Sequence, residues 1–445
     1  MSLLQVQPGP EPAPGQLVER IVCQQNPDQS YALYLPSNYR ADKKWAVILA
    51  LDPGARGKFP VEAFREAAEE YGYILVGSNN SRNGPMAAGG TALHAMWEDA
   101  FDRFSLDTER IYLTGFSGGA RMAGRFALLS KQVRGVVLCG AGFDLPESGE
   151  EIPFSVLLSS GNWDSNYLEL KTLNTDLLDR KAQVRLITFD GGHLWPSPSV
   201  CRQAIQWLEI GTFRDGIQHS DATLIDSLYQ QELTRGETLE GSRQFFNAYL
   251  SYLDLKTDME GLRELSEVEK RIARLDGSNR LRSSLEETQK LEKTERRYIK
   301  DFLKEFFKEK PKKRLDWWQN KLDSITKMEQ KKKEDQQYQL LIRRLREFIW
   351  RNGWERSWVA SEAGEYEQAA YLAEIAVLVR TDANALYFHI SRMYALSGQE
   401  TEALKNLERA IDAGFDDLEK IKAEPAFTAL HENARFQELI SRDNS

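Results

Sequence analysis

The chain has 445 residues, 41% of them hydrophobic, and a formal net charge of -9; at about 150 residues per domain this is enough for two or three cores. An acidic balance of this size argues against a nucleic-acid surface as the main business of the protein, and no apolar run approaches the ~20 residues needed to cross a bilayer. Cys23, Cys139 and Cys201 are odd in number and lack metal-ligand spacing, so neither a disulfide framework nor a zinc site is expected, and no cofactor is implied.

Residues 1–16 are Pro-rich from Gln7 to Gln16 and read as a tether. No basic region leads into an apolar core there, so the compartment stays open: cytoplasmic, or exported with a signal peptide already removed. Strand-forming runs follow at Glu19 to Cys23, Ser30 to Leu35, Ala46 to Leu51, Tyr73 to Gly77, Arg110 to Thr114, Gly135 to Cys139, Phe154 to Ser159 and Val184 to Phe189. The turn-like Asn26-Pro27-Asp28-Gln29 joins the first two as an antiparallel hairpin. Helical patterns at Val61 to Tyr71, Leu93 to Phe104 and Ala120 to Leu129 separate later strands, the rhythm of a mainly parallel eight-stranded sheet covered by helices.

Within this half, Ile111 to Ala120 carries an apolar strand into Gly115-Phe116-Ser117-Gly118-Gly119 and then a helix. A serine on so tight a turn is held in a strained backbone conformation with its hydroxyl clear of the sheet, which suits a nucleophile. The base expected to take its proton is His193, in Asp190-Gly191-Gly192-His193 after the last strand. His94, His219, His389 and His431 sit in helical patterns and read as surface or packing histidines. The acid expected to orient His193 is Asp164, in Ser159 to Asp164, with Asp144 as runner-up and Asp190 as a turn cap. For the developing oxyanion, the Gly118 N–H is one donor and the Ala55 or Gly54 N–H in the Leu51 to Gly57 loop is the other. Trp163 and Trp195 adjoin the acid and base as candidate apolar walls for an acyl or aryl group. Arg82, after the fourth strand, is a candidate for a substrate carboxylate.

After about Asp215 strand signals vanish and a charged helical region, 215–349, begins, with basic islands at Lys310 to Lys313 and Lys331 to Lys333 that read as solvated helix faces. Pro311 should break or kink its helix. In 350–445, Gly364, Ala369 and Ala376 recur as Gly398, Ala403 and Ala410, a 34-residue shift. Two copies are too few for stable stacking, so helices from 220 onward are expected to add degenerate units, and a capping pair through Leu439 to close the array.

The pattern at 350 to 417 resembles the tetratricopeptide-repeat family, which implies a concave surface for a protein or peptide partner. Residues 17–214, through the Ser117 elbow, the Gly161 to Asp164 loop and the Gly191-Gly192-His193 loop, resemble the α/β-hydrolase superfamily, and within it the small-esterase, dienelactone-hydrolase-like and polyhydroxybutyrate-depolymerase-like group. The expected fold is therefore an α/β-hydrolase domain followed by an all-α tetratricopeptide-like domain. The implied activity is a serine hydrolase acting on a small-molecule ester or thioester through an acyl-enzyme. The alternatives are a prolyl-oligopeptidase-like peptidase, or a vestigial hydrolase domain in a repeat-based binding scaffold.

Overall fold

A computed structural model describes residues 12–84, 86–147, 150–308, 315–380 and 383–441. Most of the Pro-rich N-terminal segment, expected to be a tether, and Lys310 to Lys313 with Pro311, lie outside the described residues. The chain divides into two compact units, Met1–Gln289 and Lys290–Ser445.

The first unit begins with β1 (Leu17–Val22), β2 (Ser30–Tyr34), β3 (Trp45–Leu51), α1 (Lys58–Tyr71), β4 (Tyr73–Ser78), α2 (Met86–Arg103) and β5 (Leu106–Phe116). It continues with α3 (Gly118–Leu129), β6 (Gly135–Cys139), β7 (Ser155–Gly161), α4 (Tyr167–Asp179), β8 (Val184–Phe189) and α5 (Pro198–Arg214). The strands form one eight-stranded sheet in the order β1-β2-β4-β3-β5-β6-β7-β8. The β1–β2 and β2–β4 pairs are antiparallel; from β4 through β8 every pair is parallel.

Strand β3 is apolar throughout because helices cover both of its faces, and all of its residues are buried. Alternate residues part company: Val47, Leu49 and Leu51 pack with side chains of α2, α3 and α4, whereas Ala46 and Ile48 pack with those of α1 and α5. Each fully buried Leu or Ile contributes roughly 1.5–3 kcal/mol. Strand β5 starts at Leu106 rather than at Arg110, since buried Leu106 pairs with Trp45 ahead of the polar Asp107 to Glu109. The chain crosses to opposite sides of the sheet on leaving β3 and β5, so the loops at their C-terminal ends diverge and open a crevice there.

Helices α6 (Ala222–Gly241), α7 (Phe245–Met259) and α8 (Ser266–Leu275) belong to the same compact unit, and α9 (Asn279–Phe306) runs across its limit. The unit thus extends past residue 214. Arg185, on β8 with its side chain 5% exposed, ties α6 and α7 to the sheet: it reaches Asp258 Oδ2 at 2.7 Å, Glu232, and Asp254 Oδ2 at 3.7 Å. The Trp207 indole N–H donates to the other Asp258 oxygen at 2.9 Å.

In the second unit, α10 (Leu315–Lys331) is followed by α11 (Gln336–Glu362), α12 (Tyr366–Val377), α13 (Asn384–Leu396), α14 (Glu400–Asp412) and α15 (Leu418–Ala423). A 3-10 turn (Pro425–Leu430) and α16 (Ala434–Ile440) close it. The 34-residue recurrence is also geometric. Gly364 and Gly398 take φ of 78° and 75°. After them the Glu365 N–H donates to Ala360 O and the Gln399 N–H to Tyr394 O, both at 2.8 Å. The Ser357 hydroxyl donates to Ala369 O at 2.7 Å and the Ser391 hydroxyl to Ala403 O at 2.8 Å. The α6–α7 turn in the first unit has the same form, with Arg243 at φ 60° and the Gln244 N–H on Leu239 O at 2.9 Å. His389 is a packing residue: its Nε2 lies 2.8 Å from the Ser357 hydroxyl, and burial, with Arg392 adding to it, pushes its pKa down to about 4.

Candidate active site

The site is built at the C-terminal ends of β3, β5, β7 and β8. Ser117, between β5 and α3, has φ 53° and ψ -119°, a conformation that costs an L-residue about 1–3 kcal/mol and persists only when neighbours over-determine it. They do so here: the Ser117 N–H donates to Cys139 O at 2.9 Å, and the Arg121 N–H to Ser117 O at 3.1 Å. The flanking glycines are needed for close approach, because a methyl on Gly115 would lie 2.4 Å from the Gly119 carbonyl, and one on Gly119 would lie 2.1 Å from Leu51 O. The result is a half-buried serine at a helix N-terminus.

His193 brings its Nε2 to 2.9 Å from Ser117 Oγ. Its Nδ1 lies 3.1 and 3.0 Å from the two carboxylate oxygens of Asp164. A carboxylate only accepts, so it selects the Nδ1–H tautomer and directs the Nε2 lone pair at the serine hydroxyl. Asp164 is fully buried, held by the Asn166 N–H on Oδ1 at 2.8 Å, while the Asn166 carboxamide donates to Gly140 O at 2.8 Å. Gly161 lets the two loops meet, since a methyl there would lie 2.1 Å from Gly191 O. The Phe116 ring packs on the imidazole at 4.6 Å between centroids.

The other anticipated residues lie as follows. Asp144 and Asp190 are exposed, as are His219 and His431; His94 is exposed and paired with Glu98 at 3.2 Å. Trp163 is half-buried against Gly192. Trp195 is 6% exposed, packs on Phe116 at 5.7 Å, and donates its indole N–H to Asp52 Oδ2 at 2.8 Å. Arg82 is exposed, and its backbone forms a bridge with Gly54.

The expectation for Ala55 and Gly54 needs correcting, for both N–H groups are engaged inside their own turn. The Ala55 N–H donates to Asp52 O at 3.1 Å, with Ala55 at φ 59°, and the Gly54 N–H to Asp52 Oδ1 at 2.8 Å. Asp52, fully buried, organises this loop by also accepting from Arg56 at 2.9 and 3.0 Å. Burial alone would raise its carboxyl, but the bonds from Arg56 and Trp195 hold it below the ordinary value. Sequence reading gave Asp52, Asn166 and Asn83 no role; an Asp-x-Gly directly after a central strand was the available signal for the first.

No helix among the described residues is long and apolar enough to cross a membrane, and no cluster of His, Cys, Asp or Glu among them could hold a metal ion. All three cysteines are free and buried. No protein-family model matches the sequence, and no curated protein matches it. Similar solved structures include an esterase from Pyrobaculum calidifontis, 14% identical over 42% of this chain and 83% of that one, with a TM-score of 0.35. Another is an S-formylglutathione hydrolase from Staphylococcus aureus, 13% identical over 45% and 99%, TM-score 0.35. A third is esterase B from Lactobacillus rhamnosis inhibited by a tributyrin phosphonate, 14% identical over 46% and 90%, TM-score 0.36.

Proposed function

We propose that this chain is a serine hydrolase of the α/β-hydrolase type that cleaves a carboxylic ester or thioester without a cofactor. The observation that carries the reading is the unbroken chain from Ser117 Oγ through His193 Nε2 and Nδ1 to buried Asp164, at 2.9 Å and then 3.0 Å. In it, His193 Nε2 takes the serine proton as Oγ attacks the acyl carbon, and Asp164 stabilises the imidazolium. Collapse of the adduct expels the alcohol or thiol, which receives that proton, and leaves an acyl-serine. Water, deprotonated by His193, then releases the acid and restores Ser117. Trp163 and exposed Arg82 are the side chains we assign to the acyl group and to a substrate carboxylate.

The test is a fluorophosphonate probe on the full chain, with the modified residue mapped by mass spectrometry and Ser117→Ala and His193→Ala alongside. Labelling confined to Ser117 and dependent on His193, together with hydrolysis of short acyl esters, is the expected result. A well-folded protein that neither labels nor turns over sinks the proposal. We read the second unit as tetratricopeptide-like, on its repeated Gly364 and Gly398 turns, and its role as a surface for a protein or peptide partner. A specific partner lost on deleting 350–445 supports that role; no such partner leaves it a stabilising bundle.

A further inference from the structure

The tetrahedral adduct needs two oxyanion donors, and the loop after β3 offers neither of the N–H groups expected of it. The loop after β4 brings a side-chain amide against Gly118. A methyl built on Gly118 would lie 1.9 Å from Asn83 Oδ1, 3.0 Å from its amide carbon and 3.7 Å from Nδ2. The Asn83 carboxamide therefore rests directly against the residue that follows the nucleophile, beside the one expected donor still available, the Gly118 N–H at the start of α3. Among the described residues no hydrogen bond engages the Asn83 side chain, which is exposed.

Its backbone, by contrast, is pinned. The Asn83 N–H donates to Pro53 O at 2.9 Å, Arg82 bridges Gly54, and the buried Ser81 hydroxyl donates to Asp52 O at 2.9 Å. At the base of the loop the Ser78 hydroxyl accepts the N–H groups of Asn80 and Ser81 at 3.2 and 3.0 Å. The same Asp52 that draws in the Ala55 and Gly54 donors thus anchors the strap carrying Asn83. The backbone is fixed while the terminal carboxamide torsion is broad and two-fold, so the amide nitrogen and oxygen exchange places by a half-turn.

We propose that Asn83 is the second oxyanion donor of this enzyme, an inference that rests on the serine-hydrolase reading above. As Ser117 Oγ bonds to the acyl carbon, its proton passes to His193 Nε2 and the carbonyl electron pair moves onto oxygen. Asn83 turns Nδ2–H toward that oxygen, and the Gly118 N–H holds it from the helix side. When the adduct collapses, the pair returns to the carbonyl, the leaving group takes the proton from His193, and the Asn83 bond weakens. Because the bond is strongest to the adduct, it acts on kcat more than on KM.

The experiment compares wild type, Asn83→Ala, Asn83→Asp and Ser117→Ala in the full chain, with p-nitrophenyl acetate as substrate and a fluorophosphonate as probe. Removing one such donor lowers kcat about 10²–10³-fold. Both Asn83 variants are expected to fall in that range with KM nearly unchanged, to label Ser117 correspondingly slowly, and to melt at the wild-type temperature. Asn83→Asp, isosteric but an acceptor when ionised, should be the slower. Asn83 variants within threefold of wild-type kcat, beside an inactive Ser117→Ala, overturn the inference and leave the hydrolase reading standing. A fall in kcat accompanied by a lowered melting temperature in both Asn83 variants also overturns it, in favour of a structural role. A wild type that neither hydrolyses the ester nor labels overturns both.

Discussion

Replacing Arg185 by leucine tests how firmly α6 and α7 belong to the sheet-bearing unit. The guanidinium is 5% exposed and faces Asp258 at 2.7 Å, Glu232, and Asp254 at 3.7 Å, carboxylates that are themselves 13, 17 and 33% exposed. One unit-charge pair about 4 Å apart at an effective dielectric near 20 is worth about 4 kcal/mol, and three acids without their cation also repel one another. Arg235, 3.6 Å from Glu232, offsets a small part. Leucine refills most of the aliphatic stem, so the cost is chiefly the uncompensated buried charge, about 3–5 kcal/mol. At about 2–4 °C per kcal/mol for a unit of this size, the first melting transition should drop by roughly 10 °C. The sign of the pH effect is fixed by burial, which raises Asp258 and takes Asp254 to about 6 even with Arg185 present. A carboxyl whose folded pKa lies above its unfolded value stabilises at low pH and loses that contribution as pH rises through the folded value. The variant, with both acids raised further, should therefore lie closest to wild type near pH 5 and furthest from it near pH 8. The assay is thermal unfolding across that range, with hydrogen exchange of α6 and α7 amides as the local readout. A deficit under about 1 kcal/mol at pH 8, against the 3–5 expected of a broken buried pair, or one indifferent to pH, refutes the argument.

Asp164→Asn keeps an oxygen for the Asn166 N–H but no longer selects the Nδ1–H tautomer of His193, so kcat for p-nitrophenyl acetate should fall about 10⁴-fold with stability nearly unchanged; a fall below tenfold would remove Asp164 from the mechanism. Gly118→Ala retains the N–H but evicts the Asn83 carboxamide, whose oxygen would lie 1.9 Å from the new methyl; its loss in kcat should match that of Asn83→Ala, and the double variant should be no slower than either, whereas additive losses would separate the two residues. His389, pushed by burial down to about 4, stabilises the fold above its unfolded pKa near 6.5, and that contribution, about 3 kcal/mol, is lost as pH falls from 6.5 toward 4. Urea titrations at pH 7 and pH 4.5 should show His389→Gln losing less stability on acidification than wild type; equal losses would mean the buried ring is not the sensing group.

What could be read in the sequence was whatever a few consecutive residues decide. Strand β3 is seven apolar residues in a row, and the Ser117 turn announces itself because Gly115 and Gly119 are the residues that the backbone contacts there demand. The candidate acid and base could be placed because each follows a strand, and the loop lengths bring the Asp164 carboxylate to 3.0 Å from the ring of His193. The repeat was legible where glycine takes the left-handed turn, at Gly364 and Gly398. A turn of the same form was hidden at Arg243, which adopts the same conformation and the same closing bond at a cost of about 1–2 kcal/mol that the helix-capping bond offsets. Arg185 was hidden for another reason: a charged residue in a strand ordinarily marks a solvent face, and only the acids that α6 and α7 bring to it make burial tolerable. The second oxyanion donor is not legible because sequence reports which residues have an N–H but not where each one is already engaged. The buried Asp52 carboxylate accepts from Gly54, Arg56 and Trp195, so the loop that was to supply a donor turns inward, and the tryptophan that was to supply a wall turns with it. Both features have one physical origin, the requirement that a buried carboxylate be surrounded by donors, and that requirement turns the β3 loop inward while the Asn83 carboxamide, unengaged among the described residues, rests against Gly118.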